Sequence, residues 1–181
     1  QRIPNYLCPS AVFRRVVPIA GCDANDRAPG TYAVSAGSAD SWGPYLPGGV
    51  PNNGAIVNVA SGTTRMADML DGTSNTLLAG ESAWNLPDYV FTSGPCSGQK
   101  RYGFTYWSSP YPLATAFTTL PPFNPKSGGS AVLSRFRSDH AANVVGFTLV
   151  DGSCRFVSGS IGQQTLDALA TRAGGEVLSE F

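Results

Sequence analysis

The sequence predicts a single α+β domain over residues 1–181, mainly antiparallel strand with one short C-terminal helix. Three observations predict it. Glycine and proline, 21 and 14 of 181 residues, favour turns and interrupt helices. Hydrophobic residues make up 42% of the chain, enough apolar surface to pack a core and to exclude a disordered chain. The segment 144–157 holds Asp151-Gly152 between two apolar runs, a pattern that closes a β-hairpin because both residues accept the positive φ of a type I′ turn.

Taken in order, residues 3–10 are extended by Pro4 and Pro9, since each proline pushes the residue before it out of the helical region. Residues 13–17 and 31–35 read as short strands on either side of a polar loop, and 37–53, rich in Gly and Pro, as an irregular surface excursion. A strand is predicted at 56–59, then a two-turn helix from a Thr64 cap through Leu70, with Gly72 as its stop. Residues 76–81 read as a buried strand entered through the turn Asp71-Gly72-Thr73-Ser74-Asn75. Segment 83–130 reads as an irregular insertion around one strand at 101–107. After the hairpin, 163–172 places Leu166, Leu169 and Ala170 on one face of an amphipathic helix closed by Gly174-Gly175.

Charge and composition exclude several functions. Lys+Arg and Asp+Glu number 12 each, so no net field favours nucleic acid or an anionic membrane. No window approaches the ~20 apolar residues of a membrane span. With one histidine in the chain, a multi-His metal site is excluded. His140 has Asp139 beside it and Asp151 further on, but no Gly-x-Ser-x-Gly elbow is present, so a structural, hydrogen-bonding His140 is expected before a hydrolase. Asp23, Asn25 and Asp26 partly match a calcium loop without its glycine and distal glutamate. Asp71 and Asp151, each before Gly, and Asn75 are turn residues first, and calcium is the one cofactor left open. The aromatics, Trp42, Tyr45, Trp84, Tyr102, Tyr106, Trp107 and Tyr111, point either to a glycan or partner surface or to the core of a loop-rich fold.

Four cysteines, Cys8, Cys22, Cys96 and Cys154, form no Cys-x-x-Cys pair. Their even number, in a chain with two lysines, fits an oxidising, extracytoplasmic compartment; buried free thiols are the other option. Three pairings exist, and the short loop between Cys8 and Cys22 favours that pair together with Cys96–Cys154.

Four motifs occur in a distinctive order: Tyr6-Leu7-Cys8-Pro9-Ser10; Asp71-Gly72-Thr73-Ser74-Asn75-Thr76 followed by Glu81; His140 followed by Asp151-Gly152-Ser153; and the tail from Leu166 to Val177. In these the chain resembles the bacterial prepilin-type, processing-associated family with a C-terminal His/Asp-Gly motif, a pilin-like domain of unknown function numerous in planctomycetes. Its spacer 141–150 is one residue longer than the family pattern, which implies a bulge or longer turn. Cys154 stands where the family has an aliphatic residue. The resemblance implies a pilin-like globular head lacking its N-terminal apolar helix, exported and displayed at the cell envelope or cell surface. Its partners would be other pilin-like subunits or envelope proteins, and the missing helix its only link to a membrane. The expectation is therefore a non-catalytic structural or assembly protein, with Asp71, Gly72, Asn75, Glu81, His140, Asp151 and Gly152 as motif positions. The alternative is an extracytoplasmic ligand-binding module for a metal ion or a glycan.

Overall fold

The computed structural model describes residues 2–24 and 27–176, so Asn25 and Asp26 of the calcium-loop reading and Val177 of the tail motif lie outside the described residues. Period-2 alternation is clearest in β6 (Val144–Leu149), where Val145, Phe147 and Leu149 turn inward and Val144, Gly146 and Thr148 turn outward. Around it the main sheet runs in the order β5 (Ala116–Thr118), β1 (Tyr32–Gly37), β2 (Leu77–Glu81), β6, β7 (Cys154–Ser158). All neighbours pair antiparallel except β5 with β1. A second, two-stranded sheet joins β3 (Leu86–Val90) to β4 (Lys100–Tyr102). Among the described residues two α-helices complete the α+β fold: the one-turn α1 (Pro112–Thr115) and α2 (Gln163–Ala170) near the C-terminus.

The inner face of the main sheet packs Leu77, Phe117, Phe136, Phe147 and Leu149 against Leu166 and Leu169 of α2, which is the amphipathic face predicted for that helix. Smaller cores gather Trp84, Tyr106 and Val17, and Leu86, Tyr89 and Leu133. Segment 83–130 thus supplies Trp84, Tyr106 and Phe117 to the interior and the edge strand β5 to the main sheet.

The hairpin forms where the sequence places it, with Val144 opposite Ser158 and Thr148 opposite Cys154. Its turn is not type I′. Gly152 alone has positive φ, at 86°, while the Gly152 N–H donates to Leu149 O and the Leu149 N–H to Ser153 O. That is a three-residue loop closed by a glycine bulge.

Four local expectations are corrected. Residues 13–17 form no strand, because arginine side chains occupy the backbone acceptors a strand partner would use: Arg14 on Val12 O, Arg15 on Val16 O and Arg2 on Val17 O. At 56–59 the Asn58 side chain accepts the Ala60 and Ser61 N–H groups and curls the chain into a single 3₁₀ turn at Val59–Ser61. Instead of a helix over 64–70 there is one 3₁₀ turn, Met66–Asp68; Thr64 donates to Ala55 O, and Asp68 accepts the Arg65 N–H. The strand predicted at 101–107 ends at Tyr102, whose φ of 65° breaks the extended run.

Asp23, read in the sequence as a loop residue, is buried, 4% exposed. Arg15 reaches it at 2.5 Å and Arg101 at 3.5 Å, and the Tyr106 hydroxyl donates to it at 2.7 Å. Burial acts to raise its pKa, but the hydrogen bonds from Arg15, the Ile19 N–H and Tyr106 outweigh that and hold it below the ordinary aspartate value. Tyr106 responds in the opposite sense, pushed up to about 12 by burial and by Asp23, so it remains a neutral donor at pH 7.

Two predictions follow from these contacts. Gly152→Val should lower stability by about 1–2 kcal/mol in a denaturant titration, the cost of a left-handed β-branched residue; an unchanged midpoint would contradict the turn. Asp23→Asn, which leaves two arginines facing a neutral amide, should cost about 3–5 kcal/mol at pH 7. Because the folded pKa of Asp23 is depressed, its contribution is fully present above the unfolded value of about 3.9 and is lost as pH falls through the folded value. The gap between wild type and variant should therefore close only below about pH 4, measured as melting temperature against pH.

Candidate functional site: a cleft on the outer face of the sheet

The outward residues of β1, β2, β6 and β7 form the floor of a cleft of about 570 Å³, within the ~300–1,000 Å³ of small-molecule sites. Sheet register builds this floor. Tyr32 lies opposite Glu81, Ala79 opposite Thr148, Gly146 opposite Phe156, and Thr148 opposite Cys154. The roof is the N-terminal segment, which brings Asn5, Tyr6, Cys8, Pro9 and Ser10 over the sheet. The extended run predicted over 3–10 is corrected here: Pro4, whose fixed φ suits the first helical position, opens a 3₁₀ turn at Pro4–Tyr6 between extended Ile3 and Leu7, and the backbone is anchored where the Thr31 N–H donates to Tyr6 O and the Cys8 N–H to Thr31 Oγ1.

At the end of the cleft three side chains converge. Glu81, 5% exposed, closes β2; its Oε2 accepts the Gly146 N–H at 2.6 Å, and its Oε1 lies 3.0 Å from His140 Nε2. The carboxylate can approach β6 this closely because residue 146 is glycine: a Cβ there would sit 3.2 Å from Glu81 Oε2. His140 precedes β6, turns its ring edge to Phe156 at 5.3 Å, and has Cys8 Sγ 4.0 Å from Nε2. The ligating atoms of Cys8, Glu81 and His140 all lie within 4.8 Å of one another.

Burial, then a hydrogen bond with Glu81, raises the Cys8 pKa above its ordinary value, so the sulfur is a protonated thiol at neutral pH. Tyr32 is pushed up to about 12, by burial first and by the neighbouring Cys8 and Glu81 next. The trio has the residue types of a Cys-His nucleophile, but without the lowered thiol pKa that such chemistry uses.

The remaining motif residues gather at the other end of the same strands. Asp71 accepts the Gly174 and Gly175 N–H groups at 2.7 and 2.8 Å, tying the turn before β2 to the chain that leaves α2. Asn75 donates to Asp71 O, and the Asp151 and Val150 N–H groups donate to Thr73 O and Thr76 O. Asp151 accepts the N–H and hydroxyl of Ser153, which hold its pKa below the aspartate norm. His140 and Asp151 thus flank a six-residue strand, β6, roughly 20 Å apart, and do not pair.

A family model described as a protein of unknown function, DUF1559, matches residues 1–164. The chain belongs to the DUF1559 family. No curated protein and no solved structure matches it. Within this DUF1559 chain, three of the four sequence motifs contribute one residue each to the converging trio: Cys8, Glu81 and His140. Sequence reasoning took Cys8 for a disulfide candidate and did not reach Tyr32. The available signal was that Cys8, Glu81 and His140 are all polar motif positions.

The disulfide expectation is corrected. Cys22 pairs with Cys96, with Cα atoms 5.8 Å apart, while Cys8 and Cys154 are free. Favouring the shorter loop failed because Cys8 is drawn away to the sheet face, whereas the loop before Asp23 lies on the β3–β4 connection that carries Cys96. The bond is consistent with an oxidising, extracytoplasmic compartment. Among the described residues no helix is long and apolar enough to cross a membrane.

Thiol labelling of the denatured, unreduced protein should modify two cysteines, Cys8 and Cys154, and reduction should expose two more. Breaking Cys22–Cys96 should cost about 2–5 kcal/mol in a denaturant titration. Four thiols labelled before reduction would contradict the pairing.

Proposed function

We propose that this DUF1559 chain is an exported, non-catalytic head of a pilin-like envelope protein, serving subunit packing or surface presentation. The observation that carries the export part is the Cys22–Cys96 bond, whose Cys96 side is 6% exposed and which staples the N-terminal segment to the small sheet. The non-catalytic part is supported by the raised pKa of Cys8, which withholds the thiolate a Cys-His nucleophile would need. The pilin-like part is supported by the motif order and by the use of Asp71, Asn75 and Asp151 in turn hydrogen bonds. A second reading, an extracytoplasmic ligand-binding module, is favoured by one specific observation: a cleft of about 570 Å³ with three converging polar side chains at its end. The two readings are compatible, since the cleft lies on one face of the head.

Fractionation of source cells with an antibody to this domain should place it outside the cytoplasmic membrane with Cys22 and Cys96 oxidised. Shearing of the cell surface should release it with pilin-like subunits. Recovery in the cytoplasm as a reduced protein would overturn export; oxidised protein in the envelope without any subunit partner would leave the binding module in place of the pilin-like head.

A further inference from the structure

We infer that Cys8, Glu81 and His140 form a binding site for one thiophilic divalent cation of the zinc type, with its open coordination position facing the cleft. The inference rests on the binding reading of the cleft and is independent of whether the head joins a filament. The donor set is sulfur, carboxylate oxygen and imidazole nitrogen, a combination that suits Zn²⁺ and excludes calcium, which asks for six or more oxygens. The spacing also fits. A tetrahedral ion with Zn–S of about 2.3 Å and Zn–N and Zn–O of about 2.0–2.1 Å separates nitrogen from oxygen by roughly 3.3 Å and nitrogen from sulfur by roughly 3.6 Å. The observed separations from His140 Nε2 are 3.0 Å to Glu81 Oε1 and 4.0 Å to Cys8 Sγ, so these two pairs need shifts of a few tenths of an ångström, while Cys8 and Glu81, within 4.8 Å of each other, close by up to roughly 1 Å through a turn of the Cys8 side chain.

Each ligand is also held from behind, as metal ligands are. Glu81 spends Oε2 on the Gly146 N–H and turns Oε1 to His140 Nε2, and the ion takes the place of that contact, with the imidazole proton on Nδ1 so that Nε2 can ligate. The Cys8 backbone is fixed by Thr31 Oγ1, and the His140 ring by the Phe156 edge contact. On binding, the ion replaces the thiol proton, which leaves to solvent; thiolate and carboxylate then carry two negative charges against the two positive charges of the cation. The partly buried product is neutral, which reduces the desolvation cost that an isolated ion would carry there. Three protein ligands leave a fourth position for water or a solute in the cleft, the arrangement of an open site and not of a closed structural one.

The test uses the full chain with Cys22–Cys96 intact and cobalt(II) chloride as probe, with zinc(II) and calcium(II) chloride as competitors. One equivalent of cobalt should bind and give a thiolate-to-cobalt charge-transfer band that zinc abolishes and calcium does not. Cys8→Ser should lose the band, and Cys154→Ser should keep it. Glu81→Gln should weaken binding by roughly 10- to 100-fold, the loss that even an orienting partner causes in metal sites. Because Glu81 also supports β6, His140→Gln, at a half-exposed position, serves as the second ligand variant, with melting curves confirming that it folds. Absence of the band in wild type, or its persistence in Cys8→Ser with loss in Cys154→Ser, overturns the assignment. If zinc and cobalt fail to bind while mono- and oligosaccharides shift the NMR signals of Phe156 and Tyr32, the cation site falls and the binding cleft stands; if neither has any effect, both fall.

Discussion

A carboxylate buried at the end of a strand must be fully satisfied, and Glu81 is the group on which one end of this fold depends. Its backbone pairs with Tyr32 in β1 and accepts the Arg137 N–H, while its side chain holds the Gly146 N–H of β6 and faces His140. One residue therefore connects the two central strand pairs, the segment before β6 and the roof of the cleft. An unsatisfied buried acceptor costs about 1–3 kcal/mol, and more when charged, so these neighbours are constrained together. Gly146 is part of the same constraint, because any side chain there would press on the carboxylate.

Two further buried charges organise the loop-rich half of the molecule, which has little regular structure to supply hydrogen bonds. Arg137 is fully buried and donates to the carbonyls of Ala83, Leu133 and Arg135. Burial lowers its pKa to about 9, which still leaves it charged at neutral pH. It acts as an internal donor for carbonyls that no strand or helix satisfies. Asp23 does the reverse: it collects Arg15, Arg101 and Tyr106 beside the Cys22–Cys96 bond, so an ion cluster and a covalent link hold the N-terminal segment to β4. Aromatic faces complete that region, with Arg101 over Phe104 at 4.4 Å and over Phe91 at 4.8 Å.

These constraints divide the main sheet by function. Its inner face and α2 form the apolar core, and one end of β2 and β6 is closed by hydrogen-bonded turns at Asp71 and Asp151. The outer face, under the N-terminal roof, is left concave and polar at the opposite end. A head displayed at the envelope would thus present a cleft without exposing its core, so the structural and binding readings can describe one protein.

The sequence by itself determined the α+β class, the hairpin on either side of Asp151-Gly152, the strand ending at Glu81 and the amphipathic face of α2. Each of these rests on local periodicity or on one residue's backbone preference. Short elements escaped it where side chains compete with the backbone: Arg14 and Arg15 dissolve a strand at 13–17, and Asn58 and Asp68 convert a strand and a helix into 3₁₀ turns. Only the tertiary structure decided which cysteines pair, that Asp23 is a buried anion, and that Cys8, Glu81 and His140 meet. Those three are separated by 59 to 132 positions in the chain, and what brings them together is sheet register and an irregular N-terminal segment roofing the sheet, contacts between distant segments that no local pattern encodes.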